Sequence, residues 1–337
     1  MIERHFGESA PLSLGVEEEV MILDATTFEP VGAVDVLVRG AEHLELPGTL
    51  KTELHASVVE LATDICADVD EAIAALRELR AAADRIAREH GLVIAAAGAH
   101  PTAALSLLPV VQEERYLEMI QRLGYVAQRQ GVNGLHVHVG VESADRCWER
   151  LEAVLPWLPV VLAVSVNSPF VEGRETGMLS NRALILAELP RGGAPPAFAG
   201  FEAWEAWVER LVRLGIMPDY TRVWWDARPH PRLGTLEVRI ADQPTALARV
   251  RLIVSMVRDL VANAPPSSAP RADYLQNRWA AARSGLDAML LHPDGERAVS
   301  ARELARELLG AEPPVPEAHA QLAAEHVAAD LVARTVR

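Results

Sequence analysis

Gly134-Leu135-His136-Val137-His138-Val139-Gly140 reads as a short strand between glycines, with apolar and polar residues alternating. Side chains alternate faces along a strand, so His136 and His138 point the same way. Taken alone, the two imidazoles are as well explained as half-buried core histidines. Two other stretches repeat the pattern. Gly15-Val16-Glu17-Glu18-Glu19-Val20 sets Glu17 and Glu19 on one strand face, and Thr235-Leu236-Glu237-Val238-Arg239-Ile240 does the same for Glu237 and Arg239. Such ionisable pairs on an inward face are costly unless metal ions or a charged ligand offset them.

Half of the 337 residues are hydrophobic and mean hydropathy is +0.09, enough for a large core. Only 5% are aromatic, which with abundant alanine suggests Ala-rich helices around a sheet. Asp and Glu number 47 against 32 Lys and Arg, a formal charge of −15. An acidic chain is a poor general binder of nucleic acid or anionic membrane, so small-molecule partners are expected and neither of those. Cys66 and Cys147 have no spacing that suggests a metal knuckle or a redox pair. The N-terminal residues lack the basic-then-apolar form of a signal peptide. The longest apolar run, Leu155 to Val166, carries Pro156 and Pro159 and is too short to span a bilayer. The expectation is a cytoplasmic protein with free thiols.

Along the chain, Leu12 to Leu23 reads as a strand with acidic insertions, and Leu50 to Thr63 is ambiguous. Asp68 and Glu71 open a helix as a capping-box variant, and it runs to about His90 before Gly91. A buried strand is expected over Leu92 to Gly98, a helix over Glu113 to Gln130, and a helix capped by Ser143. Asn167 to Phe201 is irregular and long for a loop in a compact domain, which is usually a functional or disordered feature. Glu202 to Leu214 reads as helix. Tyr220 to Asp226 and Gly234 to Ala241 read as strands joined through residues 228–233. From about 245 the pattern is mostly helical, broken near Ala264 to Pro270, His292 to Gly295 and Ala311 to Pro316. There is no internal repeat and no linker, so one domain over 1–337 is expected. Neighbouring strands favour an α+β fold with a largely antiparallel sheet.

Glu17, Glu19, Glu53, Glu60 and Glu237 with His136 and His138 are the candidate site residues, and carboxylate oxygens with an occasional imidazole are the kind of ligand that Mg²⁺ or Mn²⁺ takes. Zinc favours more His and Cys, and there is no HExxH. Arg239 beside Glu237 suits a nucleotide phosphate held between metal and guanidinium. No GxxxxGK[ST] loop and no GxGxxG after a strand is present, so an ATP site here is neither a P-loop nor a Rossmann site. Each piece has a plainer explanation. An acidic run is usually a solvated face, Glu53 and Glu60 fit the surface of a helix, and Glu237/Arg239 fit a structural ion pair. The recurrence of the same face on three strands weighs against these.

The chain resembles the carboxylate–amine ligases of the type 2 glutamate–cysteine ligase family, related in fold to glutamine synthetase. The matching segments are Leu14 to Glu19, Glu53 to Leu61, Gly134 to Gly140, Asn167-Ser168-Pro169-Phe170 with Thr176-Gly177, Trp225 to Arg239, and Asn277 to Ala288. They occur in order from residue 12 to about 290. The resemblance implies a glutamine synthetase-like, curved, largely antiparallel sheet with helices on its convex side. It implies ATP and two or three Mg²⁺ or Mn²⁺ ions held by Glu17, Glu19, Glu53, Glu60, Glu237 and a strand histidine, with His136 slightly preferred over His138. It assigns Arg239 to phosphate, and Arg182, Arg228 and Arg232 to substrate carboxylate or phosphate, with Arg228 and Arg239 as catalytic candidates.

The implied reaction joins a glutamate-like carboxylate to cysteine or another amine through an acyl phosphate. It needs no side-chain nucleophile, and none is evident. Thr176 to Arg182 departs from the family pattern, which leaves the amine acceptor open. Two other readings remain: a phosphotransferase of the same fold, and a non-catalytic ligand-binding protein on it. The complete carboxylate set argues against the latter. Helical faces such as Leu304 to Leu309 could serve a homo-oligomer.

Overall fold

The computed structural model describes residues 2–313 and 324–336. Its strands are β1 (Leu14–Asp24), β2 (Gly48–Thr52), β3 (Val58–Thr63), β4 (Leu92–Ala95), β5 (Gly134–Gly140), β6 (Phe170–Val171), β7 (Arg174–Glu175), β8 (Gly192–Gly193), β9 (Trp224–Trp225), β10 (Ala227–His230), β11 (Thr235–Asp242), β12 (Met289–Leu291) and β13 (Ala298–Ser300). The helices are α1 (Val34–Ala41), α2 (Val69–Glu89), α3 (Glu114–Leu123), α4 (Tyr125–Gln128), α5 (Ala144–Val154), α6 (Leu158–Ser165), α7 (Asn181–Leu186), α8 (Phe201–Arg213), α9 (Leu247–Asn263), α10 (Arg271–Ser284), α11 (Ala301–Leu309) and α12 (Ala324–Thr335).

One seven-stranded sheet runs in the order β10-β11-β5-β1-β3-β2, and β4 pairs with the far half of β1. All its pairings are antiparallel. Alternation along β1, β5 and β11 explains its two faces. Val16, Val20 and Ile22, Leu135, Val137 and Val139, and Leu236, Val238 and Ile240 all enter the main core. There they meet α2, α5, α6 and α9. Each buried aliphatic side chain contributes about 1.5–3 kcal/mol.

The α2 helix forms as its sequence suggests. Asp68 caps it, accepting from Glu71 N at 2.9 Å, and the Glu71 carboxylate accepts from Ala67 N at 2.6 Å. Its inner stripe of Ile73, Leu76, Leu79, Ala83 and Ile86 has helical spacing and is buried. Met21 and Leu23, on the opposite face of β1, end in a second cluster with Val93, Ala95, Phe170 and Leu331. That cluster closes one end of the polar face and leaves the middle for the ionisable residues.

Several sequence expectations need correction. The helix expected over Glu113 to Gln130 is two, because Gly124 takes φ +58° between α3 and α4. Tyr220 to Asp226 is a 3-10 turn followed by the short β9, and the presumed connection at residues 228–233 contains β10. The break expected near His292 to Gly295 lies between β12 and β13, a short hairpin that sequence reading did not expect in the mostly helical C-terminal part. The strand expected over Leu92 to Gly98 stops at Ala95. The break expected at Ala311 to Pro316 is irregular backbone at 311–313, and Pro314, Val315 and Pro316 lie outside the described residues.

Candidate metal and substrate site

Strand register assembles the polar face. The β1–β5 pairing sets Glu17 opposite His136, and the β5–β11 pairing sets Glu237 opposite His138. Across β1–β3, Glu19 faces Glu60, which faces Lys51 on β2. Arg228 on β10 faces Glu237. Glu53 lies in the turn from β2 to β3. Thus the three strand pairs expected to share a face do share one, and Glu60 joins them from β3 and Glu53 from the turn before it, neither from a helix.

Ligand atoms of Glu17, His138 and Glu237 lie within 4.8 Å of one another. His138 Nε2 is 3.7 Å from Glu17 Oε2, while its Nδ1 is 2.9 Å from Thr235 Oγ1. The threonine thus fixes the ring by one nitrogen and leaves the other facing the carboxylates. His136 stands beside this group, with Nδ1 3.3 Å from Glu17 Oε2 and Nε2 3.8 Å from Glu19 Oε1. Both Nε2 atoms are buried without a hydrogen-bond partner. Two carboxylates and an imidazole nitrogen suit a divalent Mg²⁺ or Mn²⁺ ion.

The charges here are compensated. Burial pushes the Glu17 carboxyl up, but His138 and His136 hold it well below its usual range. Burial likewise opposes ionisation of Glu237, yet Arg228 and Arg239 keep it well below that range. Burial opposes the charged form of His138, but the Glu17 and Glu237 charges prevail and raise it. His136, buried and facing Arg239, is lowered to about 3 and is neutral.

Glu19, Glu53 and Glu60 form a second group with the opposite behaviour. Burial, then the charge of Glu53, raises Glu19 to about 7, although Gly134 N donates to its carboxylate. Burial raises Glu53 as well. Burial and the neighbouring glutamates raise Glu60 well above its usual range, against a single amine, Lys51 Nζ, at 3.3 Å. Three acids that burial makes slow to lose their protons, even with Arg182, Arg239, Arg115 and Lys51 acting the other way, are what a divalent ion would relieve.

A cavity of about 70 Å³ adjoins Glu19 and Glu53. Gln130 and Asn133 use their amide NH₂ groups on backbone carbonyls, which leaves Gln130 Oε1 and Asn133 Oδ1 buried and unpartnered at its wall. Arg182 Nε and Arg239 Nε are unpartnered there too. The Arg182 guanidinium lies so close to Gly134 that a Cβ at that residue would stand 2.0 Å from Nη2.

The arginines separate by environment. Arg239 reaches Glu237 and lies 3.5 Å from His136 Nδ1. Arg228 donates to both oxygens of Glu237, at 2.6 and 3.1 Å, and to the carbonyls of Thr221 and Val223. Arg182 is buried and donates to the carbonyls of Arg239 and Ile240. Arg232 is not brought to this face in the same way; it is exposed in the turn Pro231–Leu233. Residues 178–181 pack on α10, where Leu179 N and Ser180 N donate to Ala282 O. Sequence reading did not find Thr235, Gln130 or Asn133. Only Asn133 carried a signal, as a turn residue before the glycine that opens β5.

The model of glutamate–cysteine ligase family 2 matches residues 13–332. The chain is 40% identical over 299 residues to a Haloferax volcanii glutamate–cysteine ligase, covering 86% of this chain and 83% of that one. It is 39% identical over 317 residues to a Rubrobacter xylanophilus protein named provisionally as glutamate–cysteine ligase 2-3, covering 93% and 87%. The Francisella tularensis glutamate–cysteine ligase solved with AMP superposes with a TM-score of 0.60 at 14% identity, covering 89% of this chain and 77% of that one. A bifunctional glutathione synthetase from Pasteurella multocida gives 0.61 at 14% identity, covering 97% and 48%. The fold is therefore that of the glutamine synthetase-like ligases. The chain belongs to glutamate–cysteine ligase family 2 and is a ligase.

Proposed function

We propose that this chain is an ATP-dependent ligase that joins the γ-carboxylate of glutamate to an amine, with cysteine the first candidate acceptor. The observation that carries the reading is the pair of carboxylate groups on one sheet face, one compensated and one still in need of cations, with Arg239 between them. Glu17, His138 and Glu237 would hold one Mg²⁺ or Mn²⁺ ion, and Glu19, Glu53 and Glu60 another. When bound, such ions neutralise charge on phosphoryl oxygens during transfer.

The chain's own residues then have distinct tasks. Arg228 fixes Glu237, and Thr235 fixes His138. Arg239, free at Nε, is placed to contact the transferring phosphoryl group. The unpartnered oxygens of Gln130 and Asn133 and the Nε–H of Arg182 suit the ammonium and carboxylate of an amino acid. In the first step a substrate carboxylate oxygen bonds to the γ-phosphorus and the bond to the ADP oxygen breaks. In the second, the free amine bonds to the acyl carbon, phosphate leaves, and the amine loses its proton. The fold is compatible with one catalytic domain over 1–337 whose later part is mainly helical. No described helix is long and apolar enough to cross a membrane.

The test is isotope transfer. Glutamate labelled with ¹⁸O in its side-chain carboxylate should deliver label to the released phosphate, and only when an amine is consumed. Turnover without that transfer excludes the acyl phosphate. Formation of ADP with a stable phosphorylated product instead would identify a phosphotransferase.

A further inference from the structure

β11 carries Arg239 on an irregular stretch. Val238 faces Val137 and Ala241 faces Leu135, so Arg239 and Ile240 together stand opposite His136. Such a bulge bends a strand and re-aims the side chain it carries. It also takes backbone groups out of the ladder, and these need other partners. Arg239 N donates to Asp226 O at 2.8 Å, one residue before β10. Asp226 N turns away and donates to Gly193 O at 2.8 Å. The carbonyls of Arg239 and Ile240 accept from Arg182, from Nη2 at 3.0 Å and Nη1 at 3.3 Å. The bulge thus rests on two supports, the Asp226 carbonyl and the Arg182 guanidinium.

Both supports are tied to α10. Tyr274 and Arg278, four residues apart, share one face of that helix. Asp226 Oδ2 accepts from Tyr274 Oη and from Arg278 Nε, each at 2.7 Å, and Oδ1 accepts from Arg278 Nη2 at 3.1 Å. The same Nη2 donates at 2.8 Å to the carbonyl of Ala183, the residue after Arg182. Asp226, Tyr274 and Arg278 are all buried. A buried ion pair is often no more stabilising than apolar side chains of the same volume, so stability alone is a poor account of this one.

We propose that Arg278, Tyr274 and Asp226 are a positioning unit for Arg239. α10 fixes the Asp226 main chain and the start of α7, these hold the bulge, and the bulge aims the Arg239 guanidinium past Glu237 at the transferring phosphoryl group. The inference rests on the reading of Arg239 given under the proposed function. None of the three residues touches substrate, and each acts through Arg239.

The experiment is a double-mutant cycle on the full chain. Tyr274→Phe removes one donor to Asp226, and Arg278→Lys keeps the charge but not the fork. Each is made alone and with Arg239→Ala. One readout is kcat and KM from amine-dependent phosphate release. The other needs no turnover: the gain in affinity for ADP, with Mg²⁺ and glutamate, when aluminium fluoride is added as a mimic of the phosphoryl group in transfer. Arg278→Lys should lower kcat and that gain about 10-fold and Tyr274→Phe about 3-fold, with KM for the amine unchanged. With Arg239→Ala already present, neither should lower them further. Thermal melts establish that each variant is folded, and Tyr274→Phe, which leaves the ion pair intact, serves if Arg278→Lys is not. Equal losses with and without Arg239→Ala, or a lowered melting temperature with both readouts unchanged, overturn the proposal. So does an aluminium fluoride gain that is absent from the unsubstituted chain or survives Arg239→Ala. A coupled loss of that gain in a chain without amine-dependent phosphate release would keep the positioning unit and refute the ligase reading.

Discussion

Arg80 grips Glu18 with two hydrogen bonds, Nε to Oε2 at 2.7 Å and Nη2 to Oε1 at 2.6 Å, on the face of β1 opposite the carboxylate cluster. Both side chains are fully buried. The same guanidinium donates to Thr245 O at 2.6 Å and Thr335 O at 2.7 Å. One side chain of α2 thus ties β1 to the segment after β11 and to the end of α12. Glu18 lies between Glu17 and Glu19, so this pair also fixes the strand that carries the site.

Removing one partner leaves the other charge buried and unpaired. Arg80→Met and Glu18→Gln should each lower unfolding free energy, by about 3–5 kcal/mol for the unpaired glutamate left by Arg80→Met. Glu18→Leu with Arg80→Met should cost less than Arg80→Met alone, because no charge is stranded. Urea unfolding of the variants measures this. Independent, additive losses would mean that the pair is not a unit.

The metal groups make separate predictions. Glu17→Gln, Glu237→Gln and His138→Ala should each weaken Mn²⁺ binding about 10-fold or more, since each removes a ligand or its close support. His136→Ala should weaken it less, because His136 lies outside the mutual 4.8 Å group. Thr235→Val should weaken it by loss of the His138 anchor. Mn²⁺ titration followed by electron paramagnetic resonance decides the order, and equal losses for both histidines would remove the distinction.

The pH dependence of the metal-free protein follows from Glu19, whose carboxyl stands at about 7 against an ordinary 4.5. Between those pH values the folded chain keeps a proton that the unfolded chain has released. Stability contributed by this group therefore falls as pH rises from about 4.5 and is fully lost above about 7, a change of about 3 kcal/mol. Glu60, also held well above its usual range by burial, acts in the same direction. Mg²⁺ bound to these carboxylates should flatten the profile. Melts from pH 5 to 8 with chelator and with excess Mg²⁺ test this. The chelated protein should nonetheless remain folded at room temperature, held by the apolar face of the sheet.

The parts of this design that were legible in sequence are those fixed by local period. His136/His138, Glu17/Glu19 and Glu237/Arg239 share faces because a strand repeats every two residues. The cap at Asp68 was legible for the same local reason. What stayed hidden depends on register and on distant partners. Strand period cannot tell His136 from His138; what sets their surroundings apart is Glu237 and Thr235 on β11, about a hundred residues away. Glu18 looked like part of a solvated acidic run, and only Arg80 on α2 shows it to be core. The split at Gly124 was missed because one left-handed glycine overrides an otherwise continuous helical pattern. The cavity oxygens of Gln130 and Asn133 carry no periodic signal at all.

Arg239 gives the sharpest test of the chemistry. Its Nη1 reaches Glu237, its Nε is unpartnered, and its charge helps hold Glu237 below the usual carboxylate range and limits the rise of Glu19. A cation in that place acts on charge that develops during phosphoryl transfer, so its loss should appear in kcat more than in KM for the amine. Arg239→Ala should lower kcat by about 10²–10³, or about 2.7–4 kcal/mol of transition-state stabilisation, by analogy with loss of one oxyanion-hole donor. Arg239→Lys should recover part of that, since it keeps the charge but not the forked geometry. Arg228→Ala should behave differently. It frees Glu237 from its support and should weaken Mn²⁺ binding together with kcat. Steady-state kinetics at saturating Mg²⁺, paired with Mn²⁺ titration of each variant, separates the two. A loss in Arg239→Ala confined to KM for the amine would place this guanidinium on the acceptor and away from the phosphoryl group.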